Sequence, residues 1–242
     1  MSPAEIAADV RVLLRLLGGK PRRGSHAQRL ARFYAPQADR YDAFRARLLH
    51  GREDLIRALD IRPGMRVVEL GCGTGGNLEF LAQTMPLETL AGVDLVDLCP
   101  PLLAVARRRV AGMGLGNVRV IEADATTWRP ERPADRVFLA YALTMMPDWR
   151  AVLDNAMAML APGGRLGLVD FHLPATGGLG NALWRRWFAH DGVFLSAEHL
   201  PALRARCDEA RCEERRGPVP YLPGPCAPYY LFVGEKARPG TR

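Results

Sequence analysis

The sequence predicts an α/β fold built on a doubly wound parallel sheet. From residue 61 onward, short apolar runs of strand length alternate with longer amphipathic runs of helical spacing. The first apolar run is followed at once by a glycine-rich turn and then a helix, the order of a strand–turn–helix crossover. The chain has 242 residues, 48% of them hydrophobic and 24% charged, which suits one large domain with a small appendage.

The elements follow in order. Residues 5–17, EIAADVRVLLRLL, are apolar at helical spacing, and GGKPRRGS breaks that helix. A second helical stretch is expected from Ala27 to Leu59, restarted at Pro36, because proline fits a first helical turn and not an interior. IRPGM closes this region. MRVVEL then reads as a buried strand, GCGTGG as a turn and NLEFLAQTM as a helix. TLAGVDL is a second strand, PPLLAVARRRVAGMG a glycine-ended helix, NVRVIEAD a third strand and DRVFLAYAL a fourth. DWRAVLDNAMAMLAPGG is a helix with a Pro-Gly-Gly stop before the strand RLGLVDFHL. LGNALWRRWFAHDG and SAEHLPALRARC read as helices and PYYLFVGEK as a closing strand. The expected division is an N-terminal helical extension over 1–60, the α/β domain over 61–236 and a tail over 237–242.

Composition excludes several classes. No apolar run reaches the roughly 18 residues that a bilayer span needs. The acids ahead of the first apolar stretch are in the wrong order for a secretory signal, so a cytoplasmic protein is expected. The five cysteines form no C-x-x-C pair and offer no zinc spacing, and no metal site is expected. Net charge is +7, almost all of it from arginine, since only Lys20 and Lys236 are lysines. Residues 1–60 hold twelve Arg/Lys against seven Asp/Glu, so most of the surplus lies ahead of the main fold. It suits an anionic membrane surface or nucleic acid, and equally a solvated face.

The turn VVELGCGTGGN, residues 67–77, carries the chemistry. Glycines there let backbone approach a ligand at the next helix's N-terminus. The spacing is ambiguous: Gly71, Gly73 and Gly76 fit G-x-G-x-x-G, the dinucleotide fingerprint, whereas Gly71, Gly73 and Gly75 fit G-x-G-x-G. Asp94 is expected to end the second strand and accept hydrogen bonds from both ribose hydroxyls of a nucleotide-like ligand. Asp124, in EADAT, is expected at the end of the third strand.

The combination E-L-G-C-G-T-G, V-D-L, E-A-D-A and P-G-G-R-L resembles the class I S-adenosylmethionine (SAM)-dependent methyltransferases over roughly residues 61–236. That resemblance implies a Rossmann-like seven-stranded sheet whose last strand, PYYLFVGEK, is antiparallel. It implies SAM as cofactor, S-adenosylhomocysteine as product, and Asp124 facing the adenine amine. It places Glu69, Gly71, Cys72, Gly73, Thr74, Gly75 and Asn77 around the cofactor's turn, with Asp94, Leu95, Asp124, Ala125 and Tyr141 beyond it. Tyr41 matches the tyrosine of an N-terminal helix that lies over the cofactor's methionine part, and Arg52 is expected to pair with a carboxylate. The fourth strand ends in AYALTMMPDW and not in the Asn-Pro-Pro-Tyr type of base-amine enzymes. With no RNA-binding signature present, nucleic acid is not an expected partner.

Several stretches outside the cofactor motifs resemble a narrower group, the methyltransferase that completes betaine-lipid synthesis. They are FYAPQADRYDAFRARLLHGRE, YALTMMPDW, VDFHL, WRRWFAHDGVFLSAEHLPAL and VPYLPG with APYYLFVGEK. The resemblance implies trimethylation of the amine of a diacylglyceryl homoserine, and a separate enzyme that makes that lipid. Ala140 stands where a serine is expected, and PATGGLG is short for a substrate lid. Tyr34, Tyr41, Tyr141, Trp149 and Tyr229 are candidates for an aromatic cage around the methylated cation. Trp184, Trp187 and Phe188 suit a lipid-facing lid or plain core. Tyr41, Tyr141, Asp148 and His172 are the catalytic candidates, His172 as proton acceptor. Because acyl tails hold the substrate in a bilayer, the enzyme is expected on the inner membrane face, docked through residues 1–32. Another lipid, such as phosphatidylethanolamine or a quinone precursor, or a small soluble amine is the alternative acceptor.

Overall fold

The computed structural model describes residues 25–35, 48–173, 195–219 and 226–238. Seven strands form one sheet in the order β3-β2-β1-β4-β5-β7-β6. The strands are β1 (Arg66–Leu70), β2 (Gly92–Asp97), β3 (Val118–Glu122), β4 (Ala134–Ala140), β5 (Leu160–Phe171), β6 (Asp208–Pro218) and β7 (Cys226–Glu235). The first five are parallel, and β7 lies antiparallel between β5 and β6, as expected for the closing strand. Consecutive strands leave β1 toward one edge and resume at β4 on its other side. The carboxyl ends of β1 and β4 therefore flank the crevice where such sheets bind ligands.

Helices cover both faces. On one face α2 (Arg52–Ala58), α3 (Asn77–Thr84) and α4 (Pro100–Met113) bury Leu55, Ile56, Leu78, Leu81, Leu103 and Val110. On the other, α5 (Trp149–Met159) and α6 (His199–Arg204) bury Val152, Leu153, Ala156, Leu200 and Leu203. A six-residue helix such as α6 does not persist in water alone. Burial of Leu200 and Leu203, at about 1.5–3 kcal/mol each, holds it on the sheet. The α1 helix (His26–Tyr34) has a capping box from Ser25 and Gln28, and sets Leu30 and Tyr34 against Cys99 and Leu102 at the start of α4.

Three sequence expectations change. The stretch from Ala27 to Leu59 is not one restarted helix. Gly51 has φ +76, a Cβ there would stand 2.8 Å from the Tyr229 ring, and α2 begins only at Arg52. Residues 36–47, and with them Tyr41, lie outside the described residues. The strand β6 was not expected, because DEARCEERRGP shows charge in place of apolar alternation. Its Glu213 pairs with Arg211 and Arg215, two positions away on each side and so on the same strand face, as suits a sheet edge. Finally, β2 runs on past Leu95 to Asp97.

Candidate active site

A cavity of about 370 Å³ opens at the carboxyl ends of β1, β2 and β4, with α1 forming part of its wall. Its floor is the glycine turn. Gly71, Gly73 and Gly75 have φ of +73, +57 and +69, a region open to glycine and costly for other residues. Gly76 has φ −62 and caps α3 in an ordinary helical conformation. The backbone therefore needs glycine in the G-x-G-x-G spacing. A Cβ on Gly71 would stand 2.5 Å from Ala142 Cβ, so the β1 turn and the segment after β4 can approach only with glycine there. Arg109 of α4 donates to the Thr74 carbonyl and lies 3.3 Å from Glu79, tying the turn to two helices.

The expected acid, Asp94, is not at the cavity. It sits in the middle of β2, opposite Val68 and Arg119, and its two oxygens accept from Arg119 at 2.7 and 2.9 Å. Leu95 is fully buried in the core, with its Cδ1 against Gly75. Register supplies the reason. Leu70, the last residue of β1, pairs with Val96, so the first β2 residue past the end of β1 is Asp97. Asp97 lines the cavity. Its Oδ2 accepts from the Gly73 amide at 2.8 Å and its Oδ1 from the Cys99 amide at 2.9 Å. The signal was present in V-D-L-V-D, where two aspartates compete and only register chooses between them.

Asp124 and Ala125 line the cavity just beyond β3, where Asp124 Oδ1 accepts from Thr126 N and Oγ1 at 2.8 and 2.7 Å. Behind the turn, Glu69 is buried. The Asn77 amide donates to its Oε1 at 2.6 Å, and its Oε2 has no partner. Burial pushes this carboxyl up to about 8, against the pull of the Asn77 hydrogen bond and the Arg52 charge. Arg52 reaches Asn77 Oδ1 at 3.5 Å, and its guanidinium lies over the Phe80 ring at 5.0 Å. Cys72 is buried with its thiol pushed up by desolvation, and contributes backbone to the turn.

Tyr141 lines the cavity in a left-handed conformation, φ +56, which is strained for a side chain of its size. Its hydroxyl donates to the His50 carbonyl at 2.8 Å and its ring meets Phe171 edge-on at 4.7 Å. Burial pushes the phenol's pKa up, so it stays protonated. Tyr34 also lines the cavity, with its hydroxyl 3.6 Å from Met145 Sδ. Of the other cage candidates, Trp149 packs against His199 and Tyr229 against Gly51 and His50, and neither is on the cavity wall. Trp184, Trp187 and Phe188 lie outside the described residues.

Asp148 is on the wall and caps α5, accepting from Ala151 N at 3.4 Å. His172, expected to accept a proton directly or through water, does not line the cavity. It follows β5 on the α5/α6 face, edge-on to Tyr230 at 5.9 Å. Glu214 Oε2 is 3.1 Å from its Nε2, off the direction of a hydrogen bond. Sequence reading missed Leu98, Cys99, Met145 and Met146 on the cavity wall, where apolar side chains gave no chemical signal. Among the described residues no group of three or more His, Cys, Asp or Glu side chains is placed to hold a metal, and no helix is long and apolar enough to cross a membrane.

Comparison with known proteins agrees with this geometry. A methyltransferase domain model matches residues 67–164. A demethylmenaquinone methyltransferase of Thermus thermophilus is 35% identical over 165 residues, 65% of this chain and 72% of that protein. A trans-aconitate 2-methyltransferase of Rhizobium leguminosarum is 28% identical over 83% of this chain and 69% of its own length. Among solved structures, phosphoethanolamine N-methyltransferase 2 of Haemonchus contortus superposes with a TM-score of 0.71 at 15% identity, over 90% of this chain and 61% of that one. The N-methyltransferase NodS of Bradyrhizobium japonicum gives 0.65 at 20%, over 88% of this chain and 99% of that one. At these identities the solved structures show the fold.

Proposed function

The chain belongs to the class I SAM-dependent methyltransferases, and from that premise we propose that its acceptor is the amine of diacylglyceryl homoserine, methylated three times to the betaine lipid. The observation that carries the reading is the set of stretches outside the cofactor motifs, above all YALTMMPDW and VDFHL. Tyr141, Met145, Met146 and Asp148 of the first stretch line the cavity, on the side that this reading gives to the acceptor. The structural neighbours add support: two N-methyltransferases share the fold, one crystallised with phosphomonomethylethanolamine, whereas the sequence relatives are a demethylmenaquinone methyltransferase and a trans-aconitate 2-methyltransferase.

SAM supplies an electrophilic methyl on a sulfonium. The chain's own residues fit that molecule. In this reading Asp97, in the place expected of Asp94, accepts the ribose hydroxyls, and Asp124 stands at the adenine end. Glu69, with an unpartnered oxygen, and Arg52 stand behind the turn and not on the cavity wall, and in this reading they meet the ammonium and the carboxylate of the methionine part. Tyr34 and Tyr141 present aromatic faces to an ammonium that gains fixed charge, worth about 0.5–2 kcal/mol each. Alignment and exclusion of water do the rest for an in-line displacement by a neutral amine. The lipid enters from a membrane surface, with residues 1–32 as docking segment and a partner enzyme as source of the homoserine lipid. Protein incubated with SAM and vesicles of diacylglyceryl homoserine should yield three successive methyl increments. Turnover of phosphatidylethanolamine or a soluble amine in its place would transfer the reading to that acceptor.

A further inference from the structure

On the α5/α6 face, away from the cofactor turn, three buried side chains leave polar atoms without partners. Both ring nitrogens of His199, Nε2 of His172 and the hydroxyl of Tyr230 make no hydrogen bond, although His199 is 1% exposed and Tyr230 fully buried. Among the described residues the only other such atom is Glu69 Oε2. The three residues are neighbours. His172 meets Tyr230 edge-on at 5.9 Å, and it lies near enough to His199 to help hold that imidazole neutral.

The charged and titratable groups around them are few. Glu214 lies 3.1 Å from His172 Nε2, and the Arg150–Glu198 ion pair flanks His199. Asp170 and Cys212 stand beside Tyr230, and Asp170 is already held by Thr144 and Phe171. A buried polar atom without a partner is costly, so a dry cluster of this kind would burden a marginally stable fold. Leucine or phenylalanine would pack there without that penalty. Buried groups of this kind are bridged by ordered water.

Position gives the cluster a use. His199 meets the Trp149 ring at 4.6 Å, and Trp149 follows Asp148, which is on the cavity wall. His172 begins where β5 ends, at the acceptor end of the sheet. At the far side Glu214 is half exposed. We infer that His199, His172 and Tyr230 enclose a small water cluster through which the proton released by the acceptor amine reaches Glu214 and bulk solvent. The inference rests on the amine reading above. Ahead of each of the three attacks one N–H proton leaves so that the nitrogen is neutral; the N–C bond then forms and the C–S bond breaks with its electron pair on sulfur. That proton passes to a cluster water. Each neutral imidazole then accepts at one nitrogen and donates from the other, and Glu214 delivers the proton to solvent. Burial pushes His199 down to about 4, which keeps it neutral and able to accept at physiological pH.

The test uses the full chain in three measurements. A high-resolution crystal structure should show ordered water bridging His172 Nε2, His199 and Tyr230 Oη. His199→Phe keeps the ring against Trp149 and removes both nitrogens. It should bind SAM as the wild type does and lose about tenfold in kcat near neutral pH, with recovery at alkaline pH. Glu214→Gln, at a half-exposed position that folds readily, should shift the pH profile in the same direction. A dry cluster in the wild-type crystal overturns the inference. So does a wild-type pH profile in both variants, or a loss in His199→Phe that is equal at every pH. Failure of the wild type to methylate any amine removes the functional reading itself. An active wild type with unaffected variants removes only the proton path.

Discussion

Glu69 on β1 and Asp170 on β5 are both buried carboxyls within one sheet, and they differ in how they are satisfied. Asp170 accepts from Thr144 Oγ1 at 2.7 Å, Thr144 N at 3.1 Å and Phe171 N at 2.8 Å. It fastens the 3₁₀ turn Leu143–Met145 to the end of β5, and thereby fixes the cavity wall. Glu69 has one donor, Asn77, and an idle oxygen. Burial raises both, Asp170 to about 6 and Glu69 to about 8, and the group with fewer donors moves further. A satisfied buried carboxyl is part of the scaffold. A half-satisfied one carries a cost that a cationic ligand can offset.

The largest effect that separates them is on folding. Asp170→Ala leaves the Thr144 hydroxyl and two amides without their acceptor, and should destabilise by about 3–5 kcal/mol in chemical denaturation. Glu69→Gln should cost the ligand-free protein nothing, and the sign can be worked out. A carboxyl raised in the folded state favours the protonated form there. Wild-type stability is therefore lost as pH climbs from the ordinary glutamate value through about 8. The variant lacks that loss and should melt higher than wild type at pH 8. A lower melting temperature at that pH would place Glu69 among the scaffold groups.

Ligand binding supplies the next effect, of opposite sign. A cationic ligand at Glu69 favours its ionised form, so below about pH 8 binding must expel a proton. SAM affinity should rise with pH, by at most about tenfold per unit, and level off above 8. Calorimetry in buffers of different ionisation enthalpy would report the proton directly. Glu69→Gln should flatten the profile and weaken binding about ten- to a hundredfold, as expected for a lost charge-assisted pair. Asp170→Asn, if folded, should keep the wild-type profile.

The same contrast explains what the sequence made legible. The alternation of strands and helices, the G-x-G-x-G turn and the closing strand PYYLFVGEK could be read because each rests on local pattern. β6 could not, since its charges satisfy an edge that exists only once β7 is in place. Glu69 was legible from its distance to Gly71, but its idle oxygen was not, because burial is a property of the assembled core. His199 passed for an ordinary helix residue for the same reason. Asp97 and Asp94 are the sharpest case. Both are aspartates on one strand, and only the β1–β2 register decides which one passes the rim of the sheet.

That pair supports the smallest effect, and a useful one. Asp94 is held by Arg119 at the rim opposite the cavity, with the arginine side chain 52% exposed. Partly exposed ion pairs contribute little, so Asp94→Asn should cost at most about 1 kcal/mol. It should leave the SAM dissociation constant unchanged, because nothing at that rim touches the glycine turn. Asp97→Asn sits three residues away and faces the cavity. On the proposed ribose contact it should weaken SAM binding about tenfold or more, since the carboxylate would lose its charge and half of its acceptor capacity. Both dissociation constants can be read in one titration series. Equal weakening in the two variants would mean that the loss travels through β2 as a strand, and would return the ribose-binding role to an open question between the two aspartates.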